Sequence, residues 1–232
     1  MPTGNHLLDS LPRSVFRAHQ KLLEAVELKF KLILHRPDRK IDYVYFPTSG
    51  VVSMVNEPNR GEIVEIATIG REGMAGLPVI LEAGSMTART LVQVPGEGFR
   101  MKATVFRKLI DSSRPSRELM LRYTMALFTQ TAQITSCNRL HEVQQRCARW
   151  LLQTHDRADS ENFPLTQEFL GQMLGVHRPS VSIAAGMLQR RGLIRYSRGI
   201  ITVNDRKGLE KASCSCYGFI AQEYKRLIGA KG

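Results

Sequence analysis

Residues 165–205 carry the pattern that most limits what this chain can fold into. Two short segments with apolar residues at helical spacing meet at Gly175, and Pro179 stands near the start of the second. Thr166 is suited to cap the first helix, glycine to the left-handed turn that ends it, and proline to the first turn of the next helix. The following stretch, GLIRYSRGIITV, predicts two strands joined at Arg198-Gly199. The whole segment predicts a helix-turn-helix with a winged hairpin.

The second of these helices has a basic outer face. Residues 177–199 contain five arginines and no aspartate or glutamate. Uncompensated positive charge in this frame is what contact with DNA phosphates requires, and arginine also pairs with guanine edges. A solvated basic face is the alternative. The candidate DNA-binding residues are Thr166, His177, Arg178, Ser180, Ser182, Gln189, Arg190, Arg191 and Arg198.

The composition agrees with a nucleic-acid partner. The 232 residues include 33 Lys and Arg against 21 Asp and Glu, a formal net charge of +12. No apolar run approaches the roughly 20 residues that cross a bilayer, and no secretory signal pattern opens the chain. Four cysteines are too few for a secreted disulfide scaffold of this size. We therefore expect a cytoplasmic protein that binds double-stranded DNA and no membrane.

Before residue 165 the pattern of apolar and polar residues changes twice. Residues 5–35 have helical spacing and predict a short helical lead-in, whereas residues 41–101 carry β-branched runs cut by turn residues and predict short antiparallel strands. From Lys102 to about residue 157 the pattern is helical, with a second helix from about 141 to 156. The polar stretch that ends at Pro164 predicts a surface loop.

An apolar stripe runs along the first long helix. Leu121, Met125, Phe128 and Ala132 follow alternating spacings of four and three residues, which is typical of two helices lying side by side. The stripe therefore predicts a homodimer. Packing of the stripe on the strands of its own chain is the alternative.

The sequence resembles the Crp/Fnr family of transcription regulators, the family of the cyclic-AMP receptor protein. The motifs are YFPTSGVVS and IGREGMAG in the strand region and LTQEFLGQMLGVHRPSVS in the helix-turn-helix. The resemblance implies an α+β fold with an N-terminal β-roll of the cyclic-nucleotide-binding, jelly-roll kind, a long dimerisation helix and a C-terminal winged helix-turn-helix. It implies a sensor domain at 1–137, with the dimerisation helix at about 115–137, a DNA-binding domain at 138–232, and RNA polymerase as a further partner.

The same resemblance predicts an operator unlike that of the cyclic-AMP receptor protein. Arg178 and Ser180 match the start of the family's recognition helix. Pro179 replaces its acidic residue, however, and Ile183 stands where an arginine would follow.

The sensor pocket departs from the family pattern as well. By resemblance, Glu72 takes the ribose position, beside Gly73, while Met86 and Thr87 replace the phosphate-binding Arg-Ser pair and only Thr131 keeps a hydroxyl at the adenine position. A thioether cannot neutralise a phosphate. We therefore expect an effector other than cyclic AMP, or a β-roll that serves only as a scaffold. A solvated turn residue is the alternative for Glu72.

The cysteines show no convincing metal pattern. Cys214 and Cys216 are one residue apart, Cys137 and Cys147 are remote, and no two histidines stand at i and i+4. We predict buried or idle thiols, with no metal and no cofactor.

Other classes of protein fit the sequence less well. Nucleotide-binding and nucleophile-elbow glycine motifs are missing, so we expect no enzyme. A cupin-like β-barrel that binds a small molecule without specific DNA recognition is the main rival. It needs histidines on its strands, and residues 41–101 contain none. A nonspecific nucleoid-binding protein is a second rival.

Overall fold

A computed structural model describes residues 2–59, 61–158 and 160–229. Two short helices, α1 (His6–Asp9) and α2 (Arg13–His19), lead through a 3-10 turn at Gln20–Leu22 into the strands. The strands are β1 (Glu24–Leu28), β2 (Ile33–His35), β3 (Tyr43–Pro47), β4 (Val51–Asn59), β5 (Glu62–Ile69), β6 (Arg89–Val94) and β7 (Gly96–Lys102), with the one-turn helix α3 (Leu77–Ile80) between β5 and β6.

These strands form two antiparallel sheets, ordered β1-β7-β3 and β2-β6-β4-β5. Phe46 from one sheet and Val52 and Val92 from the other are fully buried in a common core. Burial of apolar side chains from both sheets is the main force that holds such a roll together. The predicted α+β fold with an N-terminal β-roll is confirmed.

The prediction of a helical lead-in over residues 5–35 was wrong for its second half. Glu24–Leu28 pairs with β7, and Ile33–His35 pairs with β6. Apolar residues in so short a window fit the periodicity of a helix as well as that of a strand. Pairing with a neighbouring strand decided in favour of strand.

Three helices follow the roll: α4 (Ala103–Asp111), α5 (Arg114–Leu140) and α6 (Val143–Ala158). The α5 helix begins at Ser113, whose side chain accepts a hydrogen bond from the Ser116 N–H. Its buried Tyr123 donates to the Met74 carbonyl over 2.7 Å and so ties α5 to the roll. None of the helices in the described part of the chain has the length and apolarity needed to cross a bilayer.

The C-terminal part packs around a second core, to which Val51 and Val55 of β4 and Leu91 and Val94 of β6 also contribute. It contains β8 (Asn162–Pro164), α7 (Gln167–Leu174), α8 (Arg178–Arg190), β9 (Ile194–Ser197), β10 (Ile200–Val203) and α9 (Arg206–Ala212). Trp150, Leu170 and Leu188 are buried in this second core. The stretch predicted as a loop up to Pro164 includes a short strand, because Phe163 is buried opposite Ile201 of β10.

The last helix, α10 (Cys216–Ile228), turns back and packs on α5. Ile220 and Tyr224 are buried in the core of the β-roll, and the Tyr224 hydroxyl donates to Gln130 Oε1 over 2.7 Å. The C-terminal part is therefore anchored to α5 at its beginning and at its end.

Candidate nucleic-acid interface

The α7 and α8 helices are joined as the sequence predicts. The Thr166 side chain accepts a hydrogen bond from the Phe169 N–H and caps α7. Gly175 ends that helix with φ of 61°, in the left-handed region that favours glycine. Pro179 lies in the first turn of α8, where its missing N–H costs no helical hydrogen bond. Local rules therefore fix the angle at which α8 leaves the turn.

The outer face of α8 is open to solvent. His177, Arg178 and Gln189 are exposed, while Val181 and Leu188 on the opposite side are fully buried. Ile183 is 63% exposed and stands on the same outer face. Ile183 was not among the predicted DNA-binding residues. The sequence signal for this residue was an apolar side chain within a polar stripe. Apolar side chains of this kind contact the methyl group of thymine.

Two of the predicted contact residues already have partners within the protein. The Ser182 hydroxyl donates to Gln167 Oε1 over 2.6 Å and so joins α8 to α7. Gln189 Oε1 accepts from the Tyr196 N–H over 2.7 Å and so joins α8 to β9. Both side chains position the motif, which leaves Arg178, half-buried Ser180 and Ile183 as the freer groups on the face.

The wing is a tight hairpin. At its tip, Arg198 and Gly199 have φ of 50° and 76°, the positive pair typical of a type I′ turn. Arg195 and Arg198 are exposed on it, and Arg190 and Arg191 are exposed at the end of α8. Exposed guanidinium groups therefore flank the outer face of α8 on its C-terminal side.

The N-terminal end of α8 faces the roll across a cleft of about 750 Å³. Val64 of β5, Glu168 of α7, Gly175 and Arg178 line the cleft. The rings of Phe30 and Phe169, with centroids 6.0 Å apart, add a contact between the roll and α7. In this conformation the motif is docked on the β-roll of its own chain.

Comparison with known proteins connects this geometry to a family. Residues 145–212 match the Crp-like helix-turn-helix domain. Over the whole chain, the fold is similar to that of a protein from Eubacterium rectale described as a transcriptional regulator of the Crp/Fnr family, with 18% identity, a TM-score of 0.69, and 89% of this chain and 96% of that one covered. The chain contains a Crp-like helix-turn-helix domain within a fold of the Crp/Fnr type. Its helix-turn-helix is a DNA-binding domain.

Two further solved structures share the Crp/Fnr-type fold. FixK2 of Bradyrhizobium japonicum is 15% identical with a TM-score of 0.66, and covers 83% of this chain and 98% of its own. CLP of Xanthomonas campestris, a regulator responsive to c-di-GMP, is 14% identical with a TM-score of 0.64, covering 83% and 99%. No curated protein matches the sequence.

In this structure the residue expected at the ribose position has another partner. Glu72 is 1% exposed, and its Oε1 accepts from Arg157 Nε over 2.8 Å and from the Gly70 N–H over 3.0 Å. The alternative of a solvated turn residue was therefore wrong. A Cβ on Gly73 would lie 2.6 Å from the Tyr123 ring, so packing against α5 explains that glycine without a ligand.

The other predicted effector residues are dispersed. Met86 is half-buried and packs on the core of the roll, Thr87 is exposed, and Thr131 donates to the Leu127 carbonyl in its own helix. Arg89, near Met86 in sequence, pairs with Glu57 over 3.6 Å. A cleft of about 830 Å³ lies elsewhere, beside Asp156, Arg206 and Tyr217.

The roll and α6 are joined by a buried polar network. Trp150 Nε1 donates to Glu65 Oε1 over 2.9 Å, and Gln93 Nε2 donates to Thr154 Oγ1 over 3.1 Å. Ser53 Oγ lies 2.6 Å from Glu65 Oε2. Burial raises the pKa of Glu65 to about 7, even though Ser53, Arg149 and Trp150 act in the opposite direction.

The predicted dimer stripe lies outside both cores. Leu121 is 48%, Met125 47% and Phe128 65% exposed, and Ala132 is exposed beside them. Tyr123, Leu127 and Ile134 on the other side of α5 are buried. The stripe therefore does not pack on the strands of its own chain.

Three of the four cysteines lie together, although the sequence separates Cys137 from the other two. Cys137, Cys214 and Cys216 are buried as one cluster, and His141 joins them. Cys137 Sγ lies 3.4 Å from Cys214 Sγ, a hydrogen bond that lowers the pKa of the Cys137 thiol. Cys147 lies apart from them in the second core, where burial raises the pKa of its thiol to about 12.

Proposed function

We propose that this Crp/Fnr-type chain acts as a homodimer that recognises a specific DNA sequence and regulates transcription. The observation that carries the proposal is the exposed outer face of α8, with Arg178 at its start and Ile183 five residues further on. A helix of this kind in the major groove places a guanine-reading arginine and a methyl-contacting isoleucine over neighbouring base pairs. The flanking arginines at 190, 191, 195 and 198 supply the phosphate contacts.

Dimerisation rests on the stripe along α5. Three large apolar side chains at 121, 125 and 128 are about half exposed in the single chain. A second copy of α5 across this stripe would remove them from water and place two α8 helices for the two halves of a symmetric site. We place the boundary between the sensor domain, 1–137, and the DNA-binding domain, 138–232, in the last turn of α5.

The effector, in this proposal, is a molecule other than cyclic AMP. The Met86 side chain carries no charge to offset a phosphate, and Glu72 is committed to Arg157. RNA polymerase is the proposed protein partner, on family resemblance alone.

Selection of preferred DNA from a random pool tests the proposal. The purified full-length chain is expected to enrich a palindromic or pseudo-palindromic sequence, because a two-fold protein binds two half-sites about one helical turn apart. A parallel selection with Arg178→Ala should lose one base preference in each half-site. Enrichment of no sequence by the wild-type chain, with binding that depends only on salt, would instead support the nonspecific nucleoid-binding alternative. Repeating the selection with the small-molecule fraction of a cell extract tests for an effector.

A further inference from the structure

The end of α5 and the start of α10 bring four metal-ligating side chains to one point. Cys137 is in the last turn of α5, His141 follows that helix, Cys214 lies in the turn before α10, and Cys216 begins α10. One ligand atom from each, three sulfurs and one imidazole nitrogen, lies within 4.8 Å of all the others. The residues come from two parts of the sequence about 77 positions apart, so folding alone assembles them.

The spacing of these atoms fits a single tetrahedral ion. With Zn–S bonds of about 2.3 Å and Zn–N bonds of about 2.0 Å, tetrahedral geometry separates two sulfur ligands by about 3.8 Å and a sulfur from a nitrogen by about 3.5 Å. Cys137 Sγ and Cys214 Sγ are 3.4 Å apart, and Cys216 Sγ and His141 Nδ1 are 3.5 Å apart. An iron–sulfur cluster holds its protein ligands further apart, because irons and sulfides stand between them.

The surroundings suit three thiolates. Arg149 and Arg146 are buried near the cluster, and their guanidinium groups interact electrostatically with Cys137 and Cys214. Within the described residues, their hydrogen bonds go to the Gln153 side chain and the Leu174 carbonyl, with no carboxylate in an ion pair. Three thiolates and one divalent ion carry a net charge of −1, which these buried cations offset. Gln133 Nε2 donates to Cys216 Sγ over 3.2 Å, a hydrogen bond of the kind that orients metal ligands.

We propose that Cys137, His141, Cys214 and Cys216 form a closed site for one thiophilic divalent cation, zinc being the chemistry they fit best. Three thiolates and one imidazole are a recognised structural zinc set, and no open position remains for a substrate. The ion joins the end of α5 to the start of α10, where the DNA-binding part leaves and rejoins the sensor helix. The CxC spacing alone gave too little information, because the other two ligands come from a different part of the chain.

Metal analysis of the full-length chain tests the site. Protein purified under reducing conditions without chelator is expected to contain about one zinc per protomer by plasma mass spectrometry. After chelator treatment, Co²⁺ titration should produce the visible bands of tetrahedral cobalt and thiolate-to-cobalt charge-transfer bands, and should raise the Tm. Cys214→Ser should weaken cobalt affinity at least ~10-fold, since a lost ligand costs no less than a lost hydrogen bond to a ligand.

Cys147→Ser is the matched control, because Cys147 is equally buried but lies in the second core. It should retain the zinc and the cobalt spectrum. The proposal is overturned if the reduced wild-type chain takes up neither zinc nor cobalt, if Cys147→Ser loses the ion as readily as Cys214→Ser, or if the purified protein contains acid-labile sulfide. The wild-type titration decides the matter even if Cys214→Ser fails to fold.

Discussion

Glu65 accepts a hydrogen bond from the indole N–H of Trp150 across the junction between the β-roll and α6. The same carboxyl contacts Ser53 Oγ, which also lies 2.5 Å from Gln93 Oε1. A hydroxyl has one proton to donate, and a protonated Glu65 that donates to Ser53 leaves the Ser53 proton for Gln93, so every oxygen in the network has a partner. The neutral form of Glu65, which burial favours, therefore fits the network that docks α6 on the roll.

Stability should consequently fall as pH rises. Burial places the pKa of Glu65 at about 7 in the folded chain, above its ordinary value of 4.5. Between these values the folded state holds a proton that the unfolded chain releases, so the free energy of unfolding declines through this window, by about 3 kcal/mol in total. The positive charges nearest to Glu65, on Arg149 and Arg157, are already included in that pKa.

Glu65→Gln should remove this dependence. The amide can donate to Ser53 and still accept from Trp150, so the Tm of the variant should change little between about pH 5 and about pH 8. Glu62→Gln, an exposed change on the same strand, should keep the wild-type slope. Thermal unfolding across this pH range checks both variants, and parallel curves for wild type and Glu65→Gln would contradict the assignment.

Breaking the buried ion pair between Glu72 and Arg157 should be costly. Both side chains are 1% exposed, so Glu72→Gln leaves a buried guanidinium without its counter-charge and should lower the free energy of unfolding by about 3 to 5 kcal/mol. Glu57→Gln removes an exposed partner of Arg89 on the same roll and should cost no more than about 1 kcal/mol. Urea denaturation provides the comparison, and equal costs for the two changes would refute the prediction.

Charge on the stripe of α5 should separate the dimer. Met125→Glu with Phe128→Glu places carboxylates where two apolar surfaces would meet, so sedimentation should show monomers that bind DNA weakly, since each then holds one half-site. Leu81→Glu introduces the same charge at a residue that is 51% exposed outside the stripe, and should leave the dimer intact. An unaltered dimer of the double variant would show that the contact lies elsewhere.

Arg178 and Arg198 should differ in the kind of affinity that they provide. Arg178→Ala is expected to cost about 1 to 3 kcal/mol on the best site and to relax the preference at one base pair in each half-site. Arg198→Ala should weaken binding to all sequences alike and reduce the salt slope by about one. Binding to the selected site and its single-base variants over a salt series checks both. A uniform loss for Arg178→Ala would make it a phosphate contact and move base reading to Ser180 and Ile183.

Cyclic AMP should not bind with micromolar affinity. Met86 supplies no charge for the phosphate, and Glu72 would have to leave Arg157 to reach a ribose hydroxyl. Isothermal calorimetry with the wild-type chain should show no heat of binding at micromolar concentrations. Micromolar affinity in that experiment would require a binding mode that uses neither residue.

The parts of the molecule that sequence predicted well are those that local rules determine. The cap at Thr166, the left-handed glycine at 175 and the positive-φ pair at the tip of the wing each depend on a few neighbouring residues. The stripe on α5 is exposed in the single chain, which excludes packing on its own strands, and the dimer contact stays a prediction.

The parts that sequence could not predict are contacts between distant segments. Glu72 meets Arg157 across 85 positions, and Cys137 meets Cys214 across 77. No periodicity or spacing connects such pairs, because the packing of α6 and α10 against the roll and α5 decides them. Pairing with distant strands similarly turned Glu24–Leu28 and Ile33–His35 from predicted helix into strand.

The return of α10 to α5 also determines how α8 can rotate relative to the β-roll. The chain leaves α5 at His141 and comes back at Cys216, and these two side chains are only 3.5 Å apart. The segment between residues 141 and 216 therefore begins and ends at one point beside the end of α5, which can act as a single pivot for the winged domain. Once the contacts of α6 and α7 with the roll are released, a small rotation at this point displaces each residue in proportion to its distance from it. The α8 helix would then rotate as a rigid body, and the few side chains at the pivot would determine its orientation.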